Sequence, residues 1–312
     1  MAIAQLDRSF VLPADTSVIA ARKPRRLLRA VRLGLLLAPG LIWLVAFMIA
    51  PIALMLTMSF WKSDIFGTVP AFQFGNYRAL FNSPLYIEQL LKTLRVAVEA
   101  TALSLLISYP IAYFISRCTG RWKGVWALCL FLPFWTSYVV RTFVWVPILG
   151  RTGLINQSLM WLGVIDQPLD WLLYNEAAVF IGLVYVYTLY MTLPIFFSIE
   201  KIDPKLIEAA SDLGAKPPEV FLHVILPLTR PGIVAGCIMV FLLTVSAYVT
   251  PQLLGGTSGA LFSNLIASQF MANNNWSFGA ALSVTLVVVV LVVVGFAGKA
   301  VGMRDIFIGS RN

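Results

Sequence analysis

Long apolar runs alternate with short polar segments along most of the chain. A helix needs about 20 apolar residues to cross the ~30 Å hydrocarbon core of a membrane. Six runs are long enough, and they cover residues 33–60, 96–115, 124–149, 177–199, 231–254 and 279–298. Lipid offers no partner to free backbone N–H and C=O groups, so each run is predicted to be a complete helix. The pattern therefore predicts an all-α polytopic membrane protein with six transmembrane helices.

The basic side chains predict how these helices are oriented, because Lys and Arg are enriched in cytoplasmic loops. They concentrate in the tail before the first span, in alternate loops and after the last span, at Arg22, Lys23, Arg25, Arg26, Arg29, Arg32, Arg117, Arg121, Lys123, Lys201, Lys205, Lys216, Arg230, Lys299, Arg304 and Arg311. The opposite side holds only Lys62, Arg78, Lys92, Arg95 and Arg151. Both termini are therefore predicted to be cytoplasmic.

The apolar runs and the basic residues together predict that the chain has three parts. Residues 1–32 are expected to be a basic cytoplasmic tail, disordered over about 1–21, and followed by an uncleaved first span. Residues 33–302 are expected to form the six-helix membrane domain, and residues 303–312 a cytoplasmic C-terminal tail.

The loops on the outer side carry their own helical patterns. The stretches "FGNYRALF" and "PLYIEQLL" are predicted to be short helices on the membrane surface, and "LINQSLMWLGV" has one apolar side. The loop 255–278 has no charged residue, and its middle, "LFSNLIASQF", is apolar at helical spacing. This last stretch is either a re-entrant helix in a protein-lined cavity or a surface helix packed on the bundle.

Composition agrees with a membrane protein. Hydrophobic residues make up 59% of the 312 residues, and charged residues only 12%. The net charge of +9 follows from the loop asymmetry, whereas binding of nucleic acid would need the charge on a soluble domain. The three cysteines, Cys118, Cys129 and Cys237, are neither even in number nor spaced as metal ligands, so neither a disulfide nor a metal site is predicted.

Residues 200–231, the charged segment, contain nine of the 37 charged side chains of this hydrophobic chain. Asp203 followed by Pro204 is typical of a helix start, because Asp accepts from free N–H groups and Pro favours the first helical position. Gly214 stands where a left-handed residue would end that helix. Pro217 and Pro218 then predict a second helix that runs toward Pro227.

The first helix of the charged segment has an unusual surface for a membrane-bound helix. Leu206, Ala209, Ala210 and Leu213 share one face, and Lys205, Glu208 and Asp212 lie off it. Helices that rest on headgroups favour Lys and Arg above bulky apolar residues, whereas this one places acids beside alanines. The pattern therefore favours docking of another protein over simple contact with lipid.

The charged segment and several other stretches resemble a known family. "EAASDLG" followed by "VILP" resembles the EAA loop of the membrane subunits of ATP-binding-cassette (ABC) importers, with matches at Glu208, Ala209, Ala210, Gly214, Leu226 and Pro227. Val224 stands where isoleucine is usual. The stretches "LPFWTSYVVRTFVW", "GLINQSLMWLGVIDQPL" and "ILPLTRPGIVAG" are similar to permeases for spermidine and putrescine. Related permeases for iron, phosphonates, opines and other small solutes share much of this outline.

The resemblance implies the six-helix fold of a type I importer permease in a bacterial inner membrane. It also implies a second homologous permease (a paralogue or a second copy), two cytoplasmic ATPase subunits and an external, periplasmic solute-binding protein. This chain would bind no cofactor, and the separate ATPase would bind ATP and Mg²⁺. The residues expected to dock on the ATPase and couple its motion to transport are Glu208, Ala209, Ala210, Asp212, Leu213 and Gly214.

Two ionisable residues, Glu99 and Arg141, fall inside predicted spans, and such residues are candidates for function. Glu99 either meets a cationic substrate in the translocation path or fixes helix packing by pairing with Arg141, Arg95 or backbone. Phe134, Trp135, Tyr138 and Tyr248 would either line a path for alkyl-ammonium groups through cation–π contacts or simply pack.

Catalytic chemistry is not expected of this chain. The sequence contains no G-x-x-x-x-G-K-[ST] phosphate loop, so ATP hydrolysis is assigned to a separate subunit. "GTSG" at 256–259 resembles the serine motif of intramembrane proteases, but the single histidine, His223, is predicted on the opposite side of the bilayer. The remaining alternative is an ion-coupled secondary transporter or channel, which has no evident use for a capped acidic helix in the cytosol.

Overall fold

The computed structural model describes residues 24–64 and 67–300, and the predictions for the tail before residue 24 and for residues after 300 lie outside this range. The chain divides into two compact units, Met1–Met55 and Leu56–Asn312. In the first, α1 (Pro24–Leu44) is followed by a π-helical turn at Val45–Ile49 and by the start of α2 (Ala50–Met58). The run Leu33–Met58 has a mean hydropathy of 2.4, in agreement with a first span.

Three long helices of the second unit agree with predicted spans. They are α4 (Pro84–Arg117), α9 (Glu176–Glu200) and α16 (Trp276–Ala300). The first of them is longer than predicted, and "PLYIEQLL" is its first part rather than a separate surface helix. No Gly or Pro separates that stretch from the apolar run that follows, so nothing in the sequence breaks the helix there.

The predicted span 124–149 is not a single helix. It consists of α5 (Gly120–Phe131), a 3₁₀ turn at Leu132–Trp135, α6 (Tyr138–Phe143) and α7 (Trp145–Leu149), and α8 (Leu154–Trp161) follows. The direction changes by 95° at Thr136 and Ser137, whose backbones are extended. Thr136 Oγ1 donates to the carbonyl oxygen of Pro133 at 2.8 Å. Such a side-chain bond competes with the helical ladder.

The charged segment and the predicted fifth span consist of several short helices. The charged segment forms α10 (Pro204–Asp212), then α11 (Pro217–Val220), a π-helical turn at Phe221–Ile225 and α12 (Leu226–Leu228). Helix α13 (Arg230–Val245) then leaves at 62° to the stretch Pro217–Leu228, and α14 (Val249–Leu254) follows a break at Ser246. Among the described residues four helices are long and apolar enough to cross a membrane, and counting each bent pair as one span gives six.

The core of the second unit is built from α4, α9 and α13, which pack pairwise on one another. Gly232 and Gly236, in the stretch "GIVAG", allow α13 to approach α9 closely. A Cβ at Gly232 would lie 2.5 Å from the carbonyl oxygen of Pro194, and one at Gly236 would lie 2.7 Å from the sulfur of Met191. A side chain at either position would therefore push α13 away from α9.

The remaining elements lie in loops. They comprise an antiparallel pair, β1 (Lys62–Asp64) and β2 (Gly67–Val69), with Lys62 opposite Val69, as well as α3 (Gly75–Asn82), a 3₁₀ turn at Asp170–Leu172 and α15 (Phe262–Met271). The helices predicted at "FGNYRALF", "LINQSLMWLGV" and "LFSNLIASQF" are present as α3, α8 and α15. Phe262 is fully buried with Leu80 and Leu282, so α15 packs on the protein.

Candidate functional site

Helix α10 begins as the sequence predicts. Asp203 has an extended backbone, and its carboxylate accepts from the N–H of Lys205 at 3.0 Å. Pro204 occupies the first helical position, where its missing N–H costs nothing. The start of the helix is therefore fixed by contacts between neighbouring residues.

The end of α10 is fixed by Gly214. Its φ is +87°, in the left-handed region. The N–H of Gly214 donates to the carbonyl oxygen of Ser211 at 2.9 Å, and the N–H of Ala215 donates to that of Ala210 at 3.1 Å. These two bonds form a Schellman motif, which satisfies carbonyls at a helix end. The backbone N–H of Lys216 then donates to the carboxylate of Glu219 at 2.9 Å and starts α11.

Most of the surface of α10 is exposed in this chain, since none of its residues is fully buried and only Ile207 and Ala210 are half-buried. Leu206 is exposed, and Leu213, just past the helix, is 89% exposed. Glu208, Ala209 and Asp212 are exposed as well. An exposed apolar stripe beside carboxylates on a stiff, doubly capped helix is suited to contact a second protein.

Glu99 and Arg141 do not meet. Glu99 is 52% exposed, and its carboxylate lies 3.9 Å from the guanidinium of Arg95 one turn earlier. Arg141 is only 7% exposed, and its Nε and Nη1 have no hydrogen-bond partner. Of the partners considered for Glu99, the structure brings Arg95 near it, at the limit of ion-pair distance, and it does not pair Glu99 with Arg141.

Four aromatic residues were predicted either to line the path or to pack. Two of them, Phe134 and Tyr138, join a cluster of hydroxyl groups and rings beside the 95° bend. The hydroxyl of Tyr138 lies 2.6 Å from Oγ1 of Thr250, and its ring lies parallel to that of Tyr187 at 6.3 Å. Phe134 meets Tyr190 edge to face at 5.0 Å. The cluster therefore links the bend to α9 and α14.

The other two aromatic residues lie apart from this cluster. Trp135 is 81% exposed. Tyr248 contributes its carbonyl oxygen, which accepts from the side-chain amide of Asn264 at 3.1 Å. The sequence missed Tyr187 and Tyr190, although "YVYTLY" places three tyrosines inside one apolar run and so carried a signal.

A second polar network on the predicted outer side was not predicted. The ammonium of Lys92 donates to the carbonyl oxygens of Ser258 and Ala260, the latter at 3.2 Å, and lies 3.5 Å from the carboxylate of Glu176. Arg95 also pairs with Glu176. These contacts hold the uncharged loop against α4 and α9.

The remaining sequence candidates do not form a catalytic or metal site together. Nδ1 of His223 lies 3.0 Å from the carbonyl oxygen of Glu219, within the charged segment. Ser258 belongs to the loop that Lys92 contacts. Within residues 24–64 and 67–300 no group of three His, Cys, Asp or Glu side chains is placed to hold a metal ion, and the three cysteines are free.

Comparison with known proteins gives consistent relatives. Residues 16–301 match the family described as "Binding-protein-dependent transport system inner membrane component". The "Spermidine/putrescine transport system permease protein PotB" of Salmonella typhimurium is 40% identical over 79% of this chain and 86% of its own length. The "Inner membrane ABC transporter permease protein YdcU" of Escherichia coli is 32% identical over 88% of this chain and 90% of its own length.

A solved structure has the same fold. It is described as "Crystal structure of bacterial alginate ABC transporter in complex with alginate pentasaccharide-bound periplasmic protein". The match has a TM-score of 0.71 and 20% sequence identity, and it covers 90% of this chain and 97% of the other. The all-α permease fold expected from the sequence is thereby confirmed.

Proposed function

This chain belongs to the family of binding-protein-dependent transport system inner membrane components, and on that premise we propose that it forms half of the translocation path of an ATP-driven polyamine importer. It is a multi-pass inner-membrane transport subunit and not an enzyme. In the proposed assembly a second homologous permease completes the path, two cytoplasmic ATPase subunits bind ATP and Mg²⁺, and a periplasmic protein delivers the solute. Both termini lie in the cytoplasm.

The free surface of α10 carries the coupling part of this proposal. Glu208, Ala209, Ala210, Asp212, Leu213 and Gly214 would dock on the ATPase. A subunit without its own nucleotide site must receive motion through a contact, and a helix capped at both ends transmits displacement better than a loose loop. The small alanines permit close approach, and Glu208 and Asp212 suit a basic cleft.

Two features support polyamines as the solute. The relatives that are about 40% identical are spermidine/putrescine permeases by name. A polyamine is a flexible aliphatic cation, and ammonium groups bind to aromatic faces within about 6 Å of a ring centroid. Within the cluster, Phe134, Tyr138 and Tyr190 are half-buried and offer such faces, whereas Tyr187 is buried beneath them.

Glu99, Arg141, Trp135 and Tyr248 are proposed as further residues of the path. The carboxylate of Glu99 is half exposed and could attract a cation, because its partner Arg95 lies at the limit of pairing distance. The guanidinium of Arg141 needs an acceptor that this chain does not give to its Nε and Nη1.

Uptake in cells tests the solute. The chain is expressed with its partner permease, ATPase and binding protein in cells that lack other polyamine uptake. We expect accumulation of radiolabelled spermidine or putrescine that an excess of either unlabelled polyamine suppresses. An excess of a neutral sugar or of an amino acid serves as the control. Uptake that the neutral control suppresses and polyamines do not would contradict a polyamine path.

A further inference from the structure

Phe221 lies between two tyrosines of α4. Its ring meets that of Tyr109 edge to face at 5.6 Å and 88°, and that of Tyr113 at 5.6 Å and 86°. Tyr109 and Tyr113 are one helical turn apart, so they form the two sides of a slot on one face of α4. We refer to Tyr109, Tyr113 and Phe221 as the Phe221 cluster.

A hydroxyl pair reinforces the same contact. The hydroxyl of Tyr109 lies 3.1 Å from Oγ1 of Thr229, whose side chain is fully buried. Thr229 stands between α12 and α13, where the chain bends by 62°. Tyr109 therefore contacts the stretch after α10 twice, once at Phe221 and once at the bend.

The backbone at Phe221 is unusual. Residues Phe221–Ile225 form a π-helical turn, in which the N–H of Leu226 donates to the carbonyl oxygen of Phe221. Such wide turns are rare, and they occur frequently at functional sites. The extra residue in this turn rotates the preceding helix α11 about its axis relative to α12. Phe221 can therefore enter the slot on α4 while Ile225 stays buried.

The packing of α10 shows where its displacement would go. Helix α10 packs on α11 and on the π-helical turn. Toward the membrane helices it is separated from the ends of α4 and α9 by a cavity of about 190 Å³, which Arg117, Glu200, Pro204 and Ile207 help to line. The π-helical turn that carries Phe221 therefore provides a close-packed contact between α10 and α4.

We propose that the Phe221 cluster transmits the displacement of α10 to α4, with Phe221 as the positioning residue. This inference rests on the proposed function, because it assumes that an ATPase moves α10. A ring held on two sides follows a push in either direction, which a single contact would not ensure. Without the ring, the ATPase would continue to hydrolyse ATP and to displace α10. Helix α4 would no longer move with α10.

The test uses the purified complete complex in proteoliposomes. Phe221→Ala is compared with wild type for ATPase retention, for ATP hydrolysis and for uptake of labelled spermidine with binding protein outside. We expect retention and hydrolysis to persist, and uptake per ATP hydrolysed to fall about tenfold, as the loss of two edge-to-face contacts implies. Phe221→Tyr, which keeps the ring, should restore the ratio.

Phe114→Ala is the matched control. Phe114 follows Tyr113 on α4 and meets Trp126 edge to face at 5.8 Å, away from the charged segment. This variant removes a phenyl ring with a similar edge-to-face contact from α4, the helix that Phe221 packs against, and its uptake per ATP should equal that of wild type. If Phe114→Ala and Phe221→Ala lower the ratio equally, the loss reflects general damage to α4 and the inference is wrong.

A second pair of variants decides the matter if Phe221→Ala does not assemble. Tyr113→Phe keeps one side of the slot, and Tyr113→Leu removes it, so only Tyr113→Leu should lower uptake per ATP. An unchanged ratio in Tyr113→Leu overturns the inference. Wild-type complex that imports nothing, or that retains no ATPase, would instead contradict the proposed function on which the inference rests.

Discussion

Replacement of Gly214 by valine tests whether α10 is the coupling helix. The φ of +87° is one that a residue with a Cβ rarely adopts. No atom lies within 4 Å of the position that a Cβ would take, so the substitution adds backbone strain without a clash. The strain acts directly on the two hydrogen bonds that end α10.

The size of the effect follows from the backbone. A left-handed conformation costs a residue with a Cβ about 1–2 kcal/mol. That cost lowers the population of the native helix end about 5- to 30-fold relative to frayed forms. Asparagine tolerates this region better than other residues, so Gly214→Asn should have a weaker effect than Gly214→Val.

Gly163 provides a matched control elsewhere in the chain. Its φ is +69°, and no atom lies within 4 Å of its Cβ position. It ends α8 with the same two bonds, from Gly163 N–H to the carbonyl oxygen of Met160 and from Val164 N–H to that of Leu159, both 3.0 Å. Gly163→Val therefore carries a similar strain on the predicted outer side.

The assay is retention of the ATPase on the purified complex together with solute uptake. We expect Gly214→Val to lose both, Gly214→Asn to keep part of each, and Gly163→Val to retain the ATPase as wild type does. Wild-type retention and uptake in Gly214→Val would remove α10 as the coupling element. Equal loss of ATPase from Gly163→Val and Gly214→Val would show that the strain acts on overall stability.

Three further predictions concern single side chains. Glu208→Lys should leave the melting temperature of the complex unchanged, because Glu208 is exposed, and should abolish uptake by reversing the charge toward the ATPase; a complex that keeps its ATPase and transports normally would contradict this. Glu99→Gln should reduce uptake while the complex still assembles, because the carboxylate is half exposed and only at the limit of pairing distance from Arg95; normal uptake would exclude contact with the solute. In a chain without native cysteines, Ser211→Cys should react only with reagents that reach the cytosol and Ser258→Cys only from outside, and labelling of both from one side would overturn the orientation.

The sequence predicted features that depend on neighbouring residues. The start of α10 at Asp203 and Pro204 and its end at Gly214 follow from local hydrogen bonds and from backbone preferences, and the structure has both.

The sequence did not predict features that depend on contacts between distant parts of the chain. The bend at Thr136 lies inside an apolar run, so hydropathy alone counted that run as one helix. The clustering of Tyr138 with Tyr187 and the contact of Lys92 with the loop at Ser258 both join residues far apart in sequence. Partners of this kind follow from the packing of helices, which a periodic pattern does not specify.

ATP trapped inside proteoliposomes tests the central claim most directly. The purified complex is reconstituted with binding protein and labelled spermidine outside and with no ion gradient. We predict uptake that requires internal ATP and that stops with a non-hydrolysable analogue. Uptake without internal ATP when a proton or sodium gradient is imposed, and none with ATP alone, would contradict an ATP-driven importer and indicate an ion-coupled carrier.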